Sequence, residues 1–398
     1  MSRRILSFFL ALAMAGSLAL TMSGCGKDTS LTVYADGDFI KQDLINAFSE
    51  ETGITVNYIT GTRTPPKQEE DSDASSADTS AALKEGEQSS VDILSDLRAW
   101  KEEDEAARAE SSESEGVTCE YDVVLTDFDT ACLLRDDGCL QELNLDTISN
   151  AKQLQRGWLT LNGEKKHHYA IPALCGTAGI LWNTKQINYQ VTSWKSLWRK
   201  AYRGQVIMPN NARDCASAAL TLNGNPVNST DAKEIRAAYQ KLERQRPLVA
   251  GYANGLSYDL MAGGAASITL AYSGEAIELM AQNPDLAFII PKEGTWRMCY
   301  AYCIPAGSEW SEEAAKFINY MCSASNMAKN AVYSKYSTTS PTAFKKLDKT
   351  WQKNPLAYPP SVIRRNARLI QGLDAKSEKL HARLFQRLTG QTADTKKS

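Results

Sequence analysis

Apolar positions along this chain fall into short β-rich runs separated by stretches of helical spacing. Leu31–Tyr34 is the first such run. From Phe39 to Glu50, Phe39, Leu44, Ile45 and Phe48 form one stripe, as on an amphipathic helix. Thr52-Gly53 stops that helix, and Ile54–Ile59 reads as the next strand, giving a βαβ opening and the start of a parallel sheet. The sheet resumes at Tyr121–Leu125, and strands follow at Tyr169–Gly176, Ala178–Trp182, Gly204–Met208, Ala266–Tyr272, Leu286–Ile290 and Met298–Ile304. Helical patterns occupy Asp214–Leu222, Asp231–Arg244, Glu312–Cys322 and most of Pro360–Leu388, and a polar-capped helix starts at Ser193–Trp198. Alternating strands and helices define an α/β protein.

Two segments break this pattern. The first is the start of the chain, where Arg3 and Arg4 precede the uncharged, largely apolar run Ile5–Met22 and then Ser23-Gly24-Cys25. The run has the length of a secretory signal core or a short membrane span. Small residues leading into a cysteine resemble a bacterial lipobox, which predicts a signal peptide over 1–24, cleavage before Cys25 and lipid on its thiol. One acyl chain binds membranes only marginally, so such an anchor uses several. No later run is apolar enough over its length to span a bilayer, which places the rest outside the cytoplasm behind a tether at 25–30.

The second break is at 61–118, which holds sixteen acids and six bases although the whole chain has a net charge of only −3. Its first half has too little apolar content to order itself. Val91, Leu94, Leu97 and Trp100 share one face, so a short helix is expected there, and 101–116 is acidic and polar again. The stretch reads as an insertion, part disordered and part helix, pushed out of the fold.

Candidate chemistry is sparse. The chain has three histidines; His167 and His168 are adjacent, so their side chains diverge and a shared metal is not expected. A catalytic triad would have to rest on that pair or on His381. There is no Gly-x-Ser-x-Gly elbow, His-Glu-x-x-His site or phosphate-cradling glycine loop, so neither an enzyme nor a cofactor is predicted. The chain outside 61–118 carries a small positive surplus with no Lys/Arg run, which gives no reason to expect a nucleic-acid partner. Eight cysteines besides Cys25 are expected as buried thiols, with Cys132/Cys139 and Cys299/Cys303 as the local pairs that oxidation could join.

Several stretches, in order, carry a family resemblance: Leu44–Val56, Tyr121-Asp-Val-Val124, Val191–Trp198 with Tyr202-Arg-Gly204 and Asn211–Asp214, Leu222–Tyr239, and Ile289–Gly294 with Ile304-Pro305. Together the chain resembles the spermidine/putrescine-type solute-binding proteins of ABC importers. The resemblance implies a two-lobed, type II periplasmic-binding-protein-like fold with a two-stranded hinge and the solute in the cleft. It implies crossovers near Leu174–Ala178 and Met298–Tyr302. One lobe would be 31–175 plus 299–344, the other 176–298 plus 345–390, with 391–398 a flexible tail.

Polyamine recognition needs spaced carboxylates and aromatic faces. Carried over position by position, the resemblance implies a site of Asp36, Asp38, Phe39, Asp127, Asp129, Asn211, Asp214, Tyr272, Glu275 and Tyr300. The chain departs from the family pattern at several of these. Asp36 replaces an aromatic, Asn211 replaces an acid, Met298 and Tyr300 stand where the family has an aromatic and an amine-gripping Asp, and a family tyrosine is lost near Thr338. Asp38 and Asp127 also suit helix caps. The implied partners are a small cationic solute, an importer permease and ATPase, and a membrane through Cys25; a monomer is expected. Two alternatives stay open: the same fold serving iron, an amino-phosphonate or a sugar, with Tyr300 and Tyr302 on one strand face as possible iron ligands, and a sensory binding protein.

Overall fold

The computed structural model describes residues 29–61, 92–110, 116–154, 168–253 and 260–390. Cys25, the signal segment, most of the first half of the acidic stretch, His167 and the 391–398 tail lie outside them.

In chain order, β1 (Ser30–Ala35), α1 (Gln42–Thr52) and β2 (Thr55–Thr60) form the expected βαβ unit. The helix begins later than its apolar stripe: Phe39 lies in the loop before it, and Leu44, Ile45 and Phe48 are its buried face. Gly53 ends it at φ 72°, a left-handed turn that glycine adopts without a Cβ penalty. Then come α2 (Ile93–Glu110), β3 (Val123–Asp127), α3 (Phe128–Asp136) and β4 (Ile171–Asn183). β5 (Val206–Met208), α4 (Ala212–Asn223), α5 (Ala232–Gln245), β6 (Val249–Tyr252), β7 (Ile268–Tyr272), α6 (Ser273–Gln282) and β8 (Leu286–Ile289) follow. The chain closes with β9 (Trp296–Cys303), α7 (Ser311–Met321), α8 (Ala324–Tyr333), β10 (Ser337–Thr338), α9 (Pro341–Lys346), α10 (Lys349–Gln352), α11 (Ser361–Asn366), β11 (Arg368–Leu369) and α12 (Ala375–Thr389).

The strands run in the order β2-β1-β3-β9-β4-β7-β5-β6. β1 is parallel to β2 and β3, and β5 is parallel to β6 and β7. The two parallel groups are joined by antiparallel β9 and β4. β4 is one strand where the sequence suggested two, and it changes partners along its length. Ile171–Thr177 pairs with β9, and Ala178–Asn183 pairs with β7 and β8. This is a two-lobed α/β fold joined by two strands.

The structure departs from several expected elements. The expected short helix near 91–100 is eighteen residues long and continues through the acidic segment to Glu110. Two i,i+4 ion pairs support the extension, Lys101–Glu105 at 2.7 Å and Asp104–Arg108 at 2.9 Å. Nor is this part pushed out of the fold. Ile93 and Leu97 are buried with Tyr34, Tyr121, Val124, Leu134 and Cys303. The Trp100 indole donates to Val117 O at 2.8 Å, and Asp104 accepts from Val117 N at 2.8 Å.

The helix expected at Ser193 is a short 3-10 helix, Trp194–Trp198. The expected helical stretch 360–388 is broken by β11, which pairs in parallel with Trp296 and Arg297 of β9, and resumes only after Asp374 caps α12. All eight cysteines among the described residues are buried, and none of them, Cys132, Cys139, Cys299 and Cys303 included, is joined in a disulfide.

Candidate functional site

Four segments that follow strands carry the candidate residues: the loop after β1, the β3–α3 corner, the start of α4 after β5, and the β7–α6 corner. In open α/β sheets, ligands bind outside the carboxyl ends of strands, where such corners gather.

After β1, Asp36 Oδ2 accepts from Thr126 Oγ1 at 2.9 Å and from Asp127 N at 3.0 Å, tying this loop to the β3–α3 corner. Exposed Asp38 accepts from Tyr333 OH at 2.6 Å. Tyr58 fixes the turn: its hydroxyl accepts from the backbone of Phe39 and Ile40 and donates to Gly37 O. Phe39 packs on Tyr300, with centroids 4.3 Å apart, and meets the edge of Tyr336. Tyr300 and Tyr336 are themselves perpendicular at 5.5 Å. Tyr336 lies two residues before Thr338, where the sequence comparison loses a tyrosine, so a ring is still supplied in this region. Gly176 and Gly274 make room for it, since a Cβ on either would strike the Tyr336 ring.

Three candidate residues serve helix starts. Asp127 caps α3 through Asp129 N, Thr130 N and Thr130 Oγ1. Asn211 caps α4 through Arg213 N and Asp214 N. Glu275 Oε2 accepts from Tyr272 N at 2.9 Å at the head of α6. These contacts satisfy the orphan donors that every helix N-terminus exposes.

The sequence did not single out Arg213, yet it joins three parts of the chain. Its Nη1 donates to Asp129 Oδ1 and Glu378 Oε1, both at 2.9 Å. Its Nη2 donates to Asn228 Oδ1 at 3.1 Å and Gln371 O at 3.2 Å. Only 6% of the Arg213 side chain and 13% of that of Asp129 are exposed. Burial pushes the Asp129 carboxyl up to about 8; Arg213 opposes this, and Glu378, Asp127 and Asp214 add to it.

Asp214 accepts from the Tyr272 hydroxyl, which in turn accepts from Trp296 Nε1 at 3.1 Å. Burial, then the Asp214 charge, pushes the Tyr272 phenol well above its ordinary value. Tyr272 is 4% exposed and Tyr300 0%. Tyr302, the other tyrosine considered for iron, is also buried, at 2%.

His381 is a core residue against Tyr239 OH, 3.3 Å from Nδ1. Burial, with Arg213 nearby, lowers its pKa to about 3, so it stays uncharged. Among the described residues, no three or more His, Cys, Asp or Glu are placed to hold a metal ion. None of the described helices is long and apolar enough to cross a membrane.

This architecture is that of a binding protein whose solute sits between two lobes. The chain belongs to the bacterial extracellular solute-binding protein family, whose model matches residues 97–359. Proteins of this family bind solutes for transport outside the cytoplasm and are not enzymes. The chain is 28% identical over 255 residues to spermidine/putrescine-binding periplasmic protein 1 of Haemophilus influenzae, covering 64% of this chain and 71% of that one. It is 24% identical over 380 residues to the spermidine/putrescine-binding periplasmic protein of Escherichia coli, covering 95% and 97%. The solved structure of a Listeria monocytogenes protein assigned to spermidine/putrescine ABC transport superposes with a TM-score of 0.72 at 25% identity, covering 90% of this chain and 98% of that one.

Proposed function

We propose that this protein captures a polyamine or related organic cation between its lobes and delivers it to an ABC importer, while lipid on Cys25 holds it at the membrane. The observation that carries the reading is an excess of carboxylates around one internal cation. Arg213 is clasped by Asp129 and Glu378, both at 2.9 Å, and the charges of Glu378, Asp127 and Asp214 all raise the Asp129 carboxyl against the pull of Arg213. Like charges brought together out of water disfavour ionisation unless a counter-charge arrives. A solute ammonium provides that charge.

In this reading the lobes are 31–175 with 299–344 and 176–298 with 345–390. Asp36, Asp38, Asp127, Asp129, Asp214 and Glu275 supply negative potential, Asn211 supplies a polar edge, Phe39 and Tyr300 supply apolar walls, and Tyr272 backs Asp214 through its hydroxyl. The relatives named for spermidine and putrescine support this choice of solute class.

Calorimetry and thermal-shift titration of the protein with putrescine, spermidine and spermine test the solute. Saturable heat with at least one amine is expected; no heat and no shift with any of them sinks the proposal. The anchor is tested separately. Cys25→Ser should move the protein from the membrane fraction to the soluble fraction and abolish incorporation of labelled fatty acid. Absence of labelled fatty acid from the unaltered protein, or unchanged labelling in Cys25→Ser, would rule the lipid on Cys25 out.

A further inference from the structure

We infer that Tyr272 and Trp296 are positioning residues for solute binding, acting through Asp214 rather than by touching the solute. This rests on the cation-binding reading above. Asp214 stands in the first turn of α4, beside the Arg213 that bridges to Asp129. Its Oδ1 accepts from the Tyr272 hydroxyl, and that hydroxyl accepts from Trp296 Nε1 at 3.1 Å, so the proton on Tyr272 points at Asp214.

The relay is braced at its far end. Trp296 stacks on Trp194, with centroids 4.8 Å apart and planes 20° from parallel. The Trp194 indole donates to Gly294 O at 2.9 Å, and Glu293 accepts from Trp194 N and from the Ser193 hydroxyl. Trp194 and Trp296 are both fully buried. Every hydrogen-bonding group in the Trp296–Tyr272–Asp214 line therefore has a fixed direction, and the Asp214 carboxylate cannot rotate without breaking a buried bond.

A solute ammonium then meets a carboxylate whose ordering is already complete, which lowers the entropic cost of binding. The role differs from a cation–π contact: the hydroxyl matters, and the ring face does not.

Titration of the full-length lipoprotein in detergent with putrescine tests this. Tyr272→Phe keeps the ring but removes the donor, and should weaken binding about 10- to 100-fold, mostly as faster dissociation. Trp296→Phe keeps a stacking ring and should weaken binding in the same direction by less. Asp214→Asn should weaken binding, and adding Tyr272→Phe to it should cause no further loss, because both act through one carboxylate. Unchanged affinity in Tyr272→Phe, or losses that multiply in the double variant, overturns the relay while leaving cation binding in place. No putrescine, spermidine or spermine binding by the unaltered protein overturns the cation reading and the relay with it.

Discussion

At the scale of single residues, the arginine at 213 dominates the site. It is buried with two carboxylates from distant parts of the sequence, and removing one member of a buried ionic cluster strands the others. Arg213→Met should cost roughly 3–5 kcal/mol in urea unfolding, and Asp129→Met added to it should recover part of that loss. Asp129 makes a separate prediction about pH. Its folded value lies near 8, far above that of a free carboxylate, so the folded state holds the proton more tightly than the unfolded one. Its contribution to stability is therefore complete below about pH 4 and is lost as pH rises towards 8. Melting temperatures of Asp129→Asn and the unaltered protein should converge at acidic pH, with the variant relatively more stable at pH 8. A constant difference across that range would refute the assignment. Asp129 could be picked out in the sequence as an acid just after a strand. Arg213 could not, because what buries it are Glu378, Gln371 and Asn228, whose approach depends on the folded chain.

At the scale of elements, the strands were the most legible part, since β-rich apolar runs near Leu31, Val123, Ile268 and Trp296 mark buried sheet directly. Helices were legible when their stripes were plain, as in α5 with Ile235, Ala238, Tyr239 and Leu242 buried. They were missed where small and polar residues carry the buried face. α6 buries Ser273, Gly274 and Ala276, and α8 buries Asn326, Ala328 and Asn330, none of which signals a core. α2 fails for the opposite reason: its acids suggested an insertion pushed out of the fold, while Ile93 and Leu97, with Trp100 and Asp104 held to Val117, dock it. Leu97 is 0% exposed, and its carbonyl lies 3.6 Å from the Cys139 thiol. Leu97→Ala should therefore cost about 2–5 kcal/mol. Hydrogen exchange should show α2 losing protection before the sheet does, while solute affinity changes little. Equal loss of protection throughout would mean that the helix folds as part of the main core.

At the scale of the whole molecule, the two parallel groups of strands are joined where β4 changes partners, and any relative motion of the lobes must pass through that point. Gly176 is paired there with Met298, one residue before the last β9-paired position. A Cβ at this position would lie 2.6 Å and 3.0 Å from ring carbons of Tyr336 and 3.4 Å from Tyr272 Cβ. Tyr336 is 1% exposed and wedged against Phe39 and Tyr300, so the ring cannot yield by a small rotation. Gly176→Ala must therefore displace Tyr336 from between the lobes or hold the lobes apart. Arg213 clasps Asp129 across the β3 and β5 corners. The variant should keep its secondary structure by far-ultraviolet circular dichroism and show a larger radius of gyration by small-angle scattering. Its affinity for putrescine should fall about tenfold or more, because the solute must then also supply the free energy to draw together lobes that the displaced ring holds apart. An unchanged radius together with unchanged affinity would show that Tyr336 can leave its pocket without opening the lobes, and that the ring cluster serves packing alone.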